Sequence, residues 1–312
     1  MTSPFSGLLE DLGPYLLGEV LGNLPRGDLP KTWGTLRRCC KYLHQAAGEA
    51  GKLITRVQFT KRGAPMSEIT RGLAQLCGPA LREFTFVVYE DVAGEELATL
   101  LGGLPPGLRS LSLQFTEGDL SPGSPQIWEK IGELRLLERL SLRGIEVPAE
   151  GFGHIAGLTR LRSLAVNGSD VTGEMLSQIA PLPLVELDVW FPRNNREECV
   201  RVIASIKTLE RLVVSQCNLT DRMVESLCSL SNLTHLDLSH NYLVALGISH
   251  TRRLRRLKTL VIGGLKHAVI VAGEKTSVLK ELQENGVSVK YSPADPWLAP
   301  RSLTGNRSSE PY

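Results

Sequence analysis

Six cysteines, six histidines and one dense run of arginines are the residues of this chain whose types and spacing could do chemistry. Cys39 and Cys40 lie between Arg37, Arg38 and Lys41, and cationic neighbours lower a thiol pKa and favour the nucleophilic thiolate. A cysteine nucleophile also needs an orienting base, and only His44 is near in the sequence. His235, His240 and His250 could suggest a metal, yet no pair of them has ligand-like company on one helix face. The run "RRLRRLK" over 252–258 could grip phosphate, although charges on an outer surface are commonly just solvated. "GFGHIAG" has the glycines of a dinucleotide loop, but the spacing is wrong and no suitable strand precedes it. None of these groups assembles a catalytic constellation, so the chain reads as a non-enzyme without metal or cofactor.

What would position such residues is a period. "LTHLDLSHNYL" over 233–243 suits neither an amphipathic helix nor a plainly alternating strand, because only Leu236 to Leu238 alternates. The phrase recurs with starts at Ile54, Leu81, Leu108, Leu137, Leu161, Leu184, Leu209, Leu233 and Leu257, separated by 27, 27, 29, 24, 23, 25, 24 and 24 residues. Between the copies lie stretches such as "TGEMLSQIAPL" and "TDRMVESLCSL" with apolar residues at helical spacing, and Thr220 or Asp221 is placed to cap the last. Each repeat is therefore a strand followed by a helix. Neither element can bury its apolar face alone, but stacked copies share one core. This pattern resembles the leucine-rich repeat, L-x-x-L-x-L-x-x-N/C-x-L. The resemblance implies an α/β solenoid with parallel strands on the inside of a curve and helices outside.

Within a repeat, Asn241 and Cys217 sit where the chain leaves its strand and its backbone groups lose their ladder partners. An inward amide or thiol there can satisfy them. Thr116, Ile145, Ser169, Pro192 and Leu265 hold the same place elsewhere, so the polar ladder is patchy and irregular coils are expected.

Length and composition agree. A chain of 312 residues, 42% hydrophobic, can bury a large core, and a net charge of +2 argues against a nucleic-acid or membrane surface as main partner. No run reaches the roughly 18 apolar residues that span a bilayer, and "MTSPFSGLLEDLGPYLL" lacks the form of a signal peptide. The scattered cysteines read as reduced core thiols of an intracellular protein, cytoplasmic or nuclear, and the sequons at Asn167, Asn218, Asn232 and Asn306 then carry no glycan.

Residues 1–50 depart from the period and read as a small helical module. Leu12, Leu16, Leu17, Val20, Leu21 and Leu24 suit one helix, "LPRGDLP" is a turn, and Leu36, Cys40 and Leu43 continue on a second helix. The order of Leu12, Pro14, Leu16, Leu17, Glu19, Val20, Leu24, Pro25, Asp28, Leu29 and Leu36 resembles an F-box, and "LERLVVSQCNLTD" behind it resembles the Cys-containing repeats of F-box/leucine-rich-repeat proteins. Pro14 is displaced from its usual place after the first Leu, Pro30 interrupts a Leu-rich run, and Cys40 or Tyr42 stands where a Trp is common. The resemblance implies a substrate adaptor of a cullin ubiquitin ligase. Leu12, Pro14, Leu16, Leu17, Val20, Leu24, Leu29 and Leu36 would dock on a Skp-type adaptor, and through it on a cullin scaffold. The other reading of these leucines is a cap on the open end of the repeats, in a stand-alone binding scaffold or inhibitor.

The repeats, 51–291, would hold the protein substrate. Residues flanking the second Leu of each strand, and the one two further on, face the concave side in three columns. Trp190 stands out there, since Trp and Arg are the types most enriched in binding hot spots. Arg139, Arg143, Glu186, Asp188, Arg211, His235 and Asp237 surround it on the columns and complete the expected substrate site. "GEKTSVLKELQENGVSVKYS" reads as a last helix and strand, and residues 292–312, rich in Pro and Ser, read as a disordered tail. Alone, the protein is expected to be a monomer.

Overall fold

The computed structural model describes residues 56–61, 66, 70, 79–89, 91–116, 125–168, 170–191, 196–241, 243, 245–263 and 272–291. The F-box-like leucines and prolines, together with Cys39, Cys40 and Cys77, lie outside these residues. The chain forms two compact units, Met1–Leu209 and Glu210–Tyr312.

In the first unit six parallel strands follow one another in space in chain order: β1 (Arg56–Lys61), β2 (Glu83–Val88), β3 (Ser110–Phe115), β4 (Arg139–Arg143), β5 (Ser163–Asn167) and β6 (Glu186–Val189). From β2 onward helices alternate with them: α1 (Gly94–Gly102), α2 (Pro125–Glu133), α3 (Ala149–Ala156), α4 (Gly173–Ile179) and α5 (Arg196–Ile203). Leucine spacing fixes which side of each strand is inside. In β3, Leu111, Leu113 and Phe115 are buried while Ser110, Ser112 and Gln114 stay partly open. The core also takes Leu97, Leu100 and Leu101 from α1 and Ile127, Trp128 and Ile131 from α2. Each fully buried apolar side chain of this size contributes about 1.5–3 kcal/mol.

Register is set at the strand starts, where one carbonyl accepts two amides of the next coil. Arg109 and Ser110 both donate to Arg82 O, Glu138 and Arg139 to Arg109 O, Arg162 and Ser163 to Glu138 O, and Val185 and Glu186 to Arg162 O. The outcome is the series Arg56, Glu83, Ser110, Arg139, Ser163, Glu186 in a single row. At the strand ends the chain turns away through left-handed backbone at Gly144 (φ 70°) and Gly168 (φ 107°). A Cβ on Gly144 would overlap the carbonyl oxygen of Phe115 in the preceding coil, and one on Gly168 would press on Gly144 Cα at 3.1 Å.

The second unit repeats the design with β7 (Arg211–Val213), α6 (Asp221–Leu227), β8 (His235–Asp237), α7 (Ala245–His250), β9 (Thr259–Ile262), α8 (Ala272–Glu284) and β10 (Ser288–Tyr291). Its four strands are parallel and in chain order. Leu236 and Leu238 are fully buried. Thr220 caps α6 by position, although its side chain accepts no capping bond, unlike Thr172 of the first unit, whose Oγ1 accepts from Met175 N at 3.3 Å.

Asn241 does what its place suggests. Wholly buried, its Oδ1 accepts from Leu219 N at 3.0 Å and its Nδ2 donates to the carbonyls of Val214 (2.9 Å), Leu238 (3.0 Å) and Ser239 (3.2 Å). The equivalent residues vary. Thr116 Oγ1 donates to Val88 O at 2.9 Å, Cys217 Sγ donates to Ser215 O at 3.4 Å, and Ile145 is simply buried. The strand-exit position before it is left-handed here too, but filled by Gln216 (φ 56°) and His240 (φ 58°). The repeats are thus leucine-rich-repeat coils, strands on one side and helices on the other, within each unit.

Candidate protein-binding face

In each unit the open side of the strands is a candidate binding face. In the first unit Arg139 and Arg143 project from the two ends of β4 in opposite directions along the sheet. Arg139 Nη2 reaches Glu83 Oε1 at 2.9 Å and its Nε donates to Ser110 Oγ at 3.4 Å. Because Glu83 lies two strands away, about 9.6 Å at ordinary strand spacing, the guanidinium bridges over Ser110, which is small enough to pass beneath. Arg56 pairs with the same Glu83 from the other side. Arg143 Nη2 stands 3.6 Å from Asp188 Oδ2, reaching diagonally across β5, where Arg143 is level with Asn167 and Asp188 with Ala165. Ser163 Oγ donates to Glu186 Oε2 at 2.9 Å.

Electrostatically these links are weak. The Arg139 and Arg143 side chains are 50% and 51% exposed, and exposed ion pairs contribute about 0–1 kcal/mol. They orient the guanidinium groups without locking them, so a partner carboxylate can replace Glu83 or Asp188 at little cost. Thr85, Ser112, Ser141 and Ala165, all half-buried, floor the space between the charged rows with small side chains.

Trp190 follows β6 directly and is half-buried, with its backbone N–H donating to Val166 O at 3.4 Å. Its neighbour Phe191 is fully buried. The indole thus presents part of its surface, and Asp188 lies two residues before it on the same strand row.

In the second unit Arg211 is exposed and His235 half-buried, paired in register on β7 and β8. Asp237, half-buried, accepts at Oδ1 from Ser239 N at 2.9 Å, which turns its carboxylate toward the strand exit. Arg139, Arg143, Glu186, Asp188 and Trp190 therefore belong to one unit, and Arg211, His235 and Asp237 to the other.

Two positions of the third expected column differ from the pattern. Val87 is buried, and so is Ser239, because the chain at 238–241 is drawn inward by Asn241. Sequence reasoning left Glu83 and Arg56 out of the site, although opposite charges two coils apart in one row were the signal that could have found them.

The thiols of Cys199 and Cys228 are not activated. Cys199, Cys217 and Cys228 are in no disulfide, and all three are buried. Burial pushes Cys199 up to about 11, with Glu198 adding to the rise, and pushes Cys228 up to about 12 against the opposing pull of Arg253. Among the described residues no three His, Cys, Asp or Glu side chains gather as a metal site, and no helix is long and apolar enough to cross a membrane.

Parallel strands with inward leucines, a period of this length and a polar strand face define a leucine-rich-repeat fold. No family model matches the chain. A stretch of 134 residues, 43% of the chain, is 28% identical to a putative adenylate cyclase regulatory protein of Trypanosoma equiperdum, and covers 21% of that protein's length. Among solved structures, TLR13 in its crystal structure with ssRNA13 is similar at a TM-score of 0.46 and 16% identity, over 78% of this chain and 34% of TLR13. An internalin, inlF, of Listeria monocytogenes is similar at a TM-score of 0.41 and 15% identity, over 80% of this chain and 85% of its own.

Proposed function

We propose that this chain is a non-enzymatic protein-binding module that presents the strand face of its repeats to a partner, and that it serves as the substrate-recognition adaptor of a cullin-type ubiquitin ligase. The observation that carries the binding role is the row of half-exposed, loosely paired charges on β4, Arg139 and Arg143, beside the part-open indole of Trp190. The adaptor role rests on the resemblance of Leu12, Pro14, Leu16, Leu17, Val20, Leu24, Leu29 and Leu36 to an F-box. These residues would engage a Skp-type adaptor, and the chemistry of ubiquitin transfer would belong to other subunits, in the cytoplasm or nucleus. Buried cysteines with raised pKa values support a binding rather than a catalytic role for the repeats.

The test is capture by a purified Skp-type adaptor. Binding by the intact chain that is lost when Leu16 and Val20 are changed to Asp supports the reading; no binding by the intact chain removes it. A second reading is a stand-alone regulatory scaffold, favoured by the stretch similar to a putative adenylate cyclase regulatory protein. It predicts a partner held by the repeats with residues 1–50 dispensable.

A further inference from the structure

The run over 252–258 has an organisation that the strand face does not use. Leu254 and Leu257 turn into the core, and all five basic residues are exposed. Two of the five are already matched: Arg252 pairs with Glu281 of α8, and Arg253 Nη1 with Glu225 Oε1 of α6 at 3.0 Å. The other three are not. Arg256 Nη1 donates to the neutral amide oxygen of Asn232 at 2.9 Å, and among the described residues neither Arg255 nor Lys258 has an ion-pair partner.

These three lie on the edge of the second unit where strands begin, since Lys258 N donates to Thr234 O and Ser288 N to Lys258 O. At the matching turns of the flanking coils the same edge carries uncharged Ser231 and Asn232 on one side and Asn285 and Gly286 on the other, and the acids nearest along it, exposed Glu284 and Glu210, form no ion pair with the three among the described residues. The first unit shows how such an edge can be neutralised: Arg109 Nη1 pairs with Glu138 Oε1 at 2.9 Å. Three cations within four positions repel one another, and folding needs only the two leucines between and beside them.

We propose that Arg255, Arg256 and Lys258 form a docking site for an acidic peptide segment of a partner protein. Charge complementarity selects the occupant. Three cations that have no ion pair among the described residues, spread over one turn, match a short run of carboxylates, and Arg256 can exchange an amide for a carboxylate in a charge-assisted bond. Nucleic acid fits less well: a single-strand site adds aromatic stacking platforms, and this turn has no aromatic side chain. The inference rests on the protein-binding reading of the repeats but needs neither the F-box resemblance nor the strand face.

The test is fluorescence anisotropy of a labelled polyglutamate peptide with the full chain, alongside polylysine and single-stranded polyuridine. Polyglutamate should bind, weaken as salt rises, and lose about tenfold or more in affinity in the Arg255→Ser, Arg256→Ser, Lys258→Ser variant. Exchange of the exposed Arg222 on α6 for Ser should leave binding unchanged, and an unaltered melting temperature would show that the triple variant is folded. Equal polyglutamate binding by the triple variant overturns the proposal, as does preference of the intact chain for polyuridine. Failure of Skp-type capture with polyglutamate binding retained removes the ligase adaptor and leaves this site standing.

Discussion

Replacing Asn241 with Ala should destabilise the second unit by about 3 kcal/mol. The side chain answers one amide and three carbonyls. Ser239 O keeps a partner after the change, because Gln216 N also donates to it at 3.1 Å. What is stranded is the Leu219 N–H and the carbonyls of Val214 and Leu238. A buried group left unmet costs about 1–3 kcal/mol, and an orphaned N–H is tolerated less well than an orphaned carbonyl. Taking roughly 2 kcal/mol for the donor and roughly 1 for the two acceptors together gives the figure above. With a urea m-value of about 1.5 kcal/mol/M the midpoint falls by roughly 2 M. Of the tryptophans among the described residues, Trp128 and Trp190 both belong to the first unit, so far-UV circular dichroism is the suitable probe. Hydrogen exchange adds a local readout, since the Leu219 amide should exchange faster in the variant even under native conditions. A midpoint shift below about 0.3 M, with Leu219 still protected, would mean that another group meets these atoms and that the reasoning is wrong.

Gly144→Ala should cost at least about 2 kcal/mol, because the new methyl meets both a left-handed backbone and the Phe115 carbonyl; thermal melting of the variant checks it. Trp190→Ala combined with Arg143→Ala should weaken capture of a cellular partner while the melting temperature falls only slightly, and a large melting shift with capture intact would assign the indole to packing. Cys199 and Cys228 should resist alkylation until the protein unfolds. The unfolded chain releases these protons near 9.0 while the fold holds them to about 11 and about 12. Stability should therefore decline as pH climbs above about 9, and the double Cys→Ala variant should show a shallower decline in urea midpoint over that window.

Much of this was legible because leucine spacing carries it. Starts at Leu108, Leu137 and Leu161 predict that Ser110, Arg139 and Ser163 share a row, and the strands pair in that register. Periodicity tells which side of a sheet a residue is on, but not how far a long side chain reaches, so the bridge from Arg139 to Glu83 over Ser110 was not readable. Nor does it foresee where the chain dips, as at Ser239, whose burial follows from the pull of Asn241. The cap of α6 was legible as Thr220 or Asp221, and Thr220 holds that position, yet without the bond that Thr172 makes in α4.

The bare turns at Gly144 and Gly168 bear on how such a chain can evolve. Tandem arrays grow by duplicating units, and a copy inserted at random must fit its new neighbours. The coils ending in Gln216 and His240 hold side chains at the place where β4 and β5 end in hydrogen alone. Pasted between β3 and β5, either would jam against the Phe115 carbonyl. Recombination within this gene is thereby restricted, and deletions or duplications that splice a second-unit coil into that slot should yield insoluble protein.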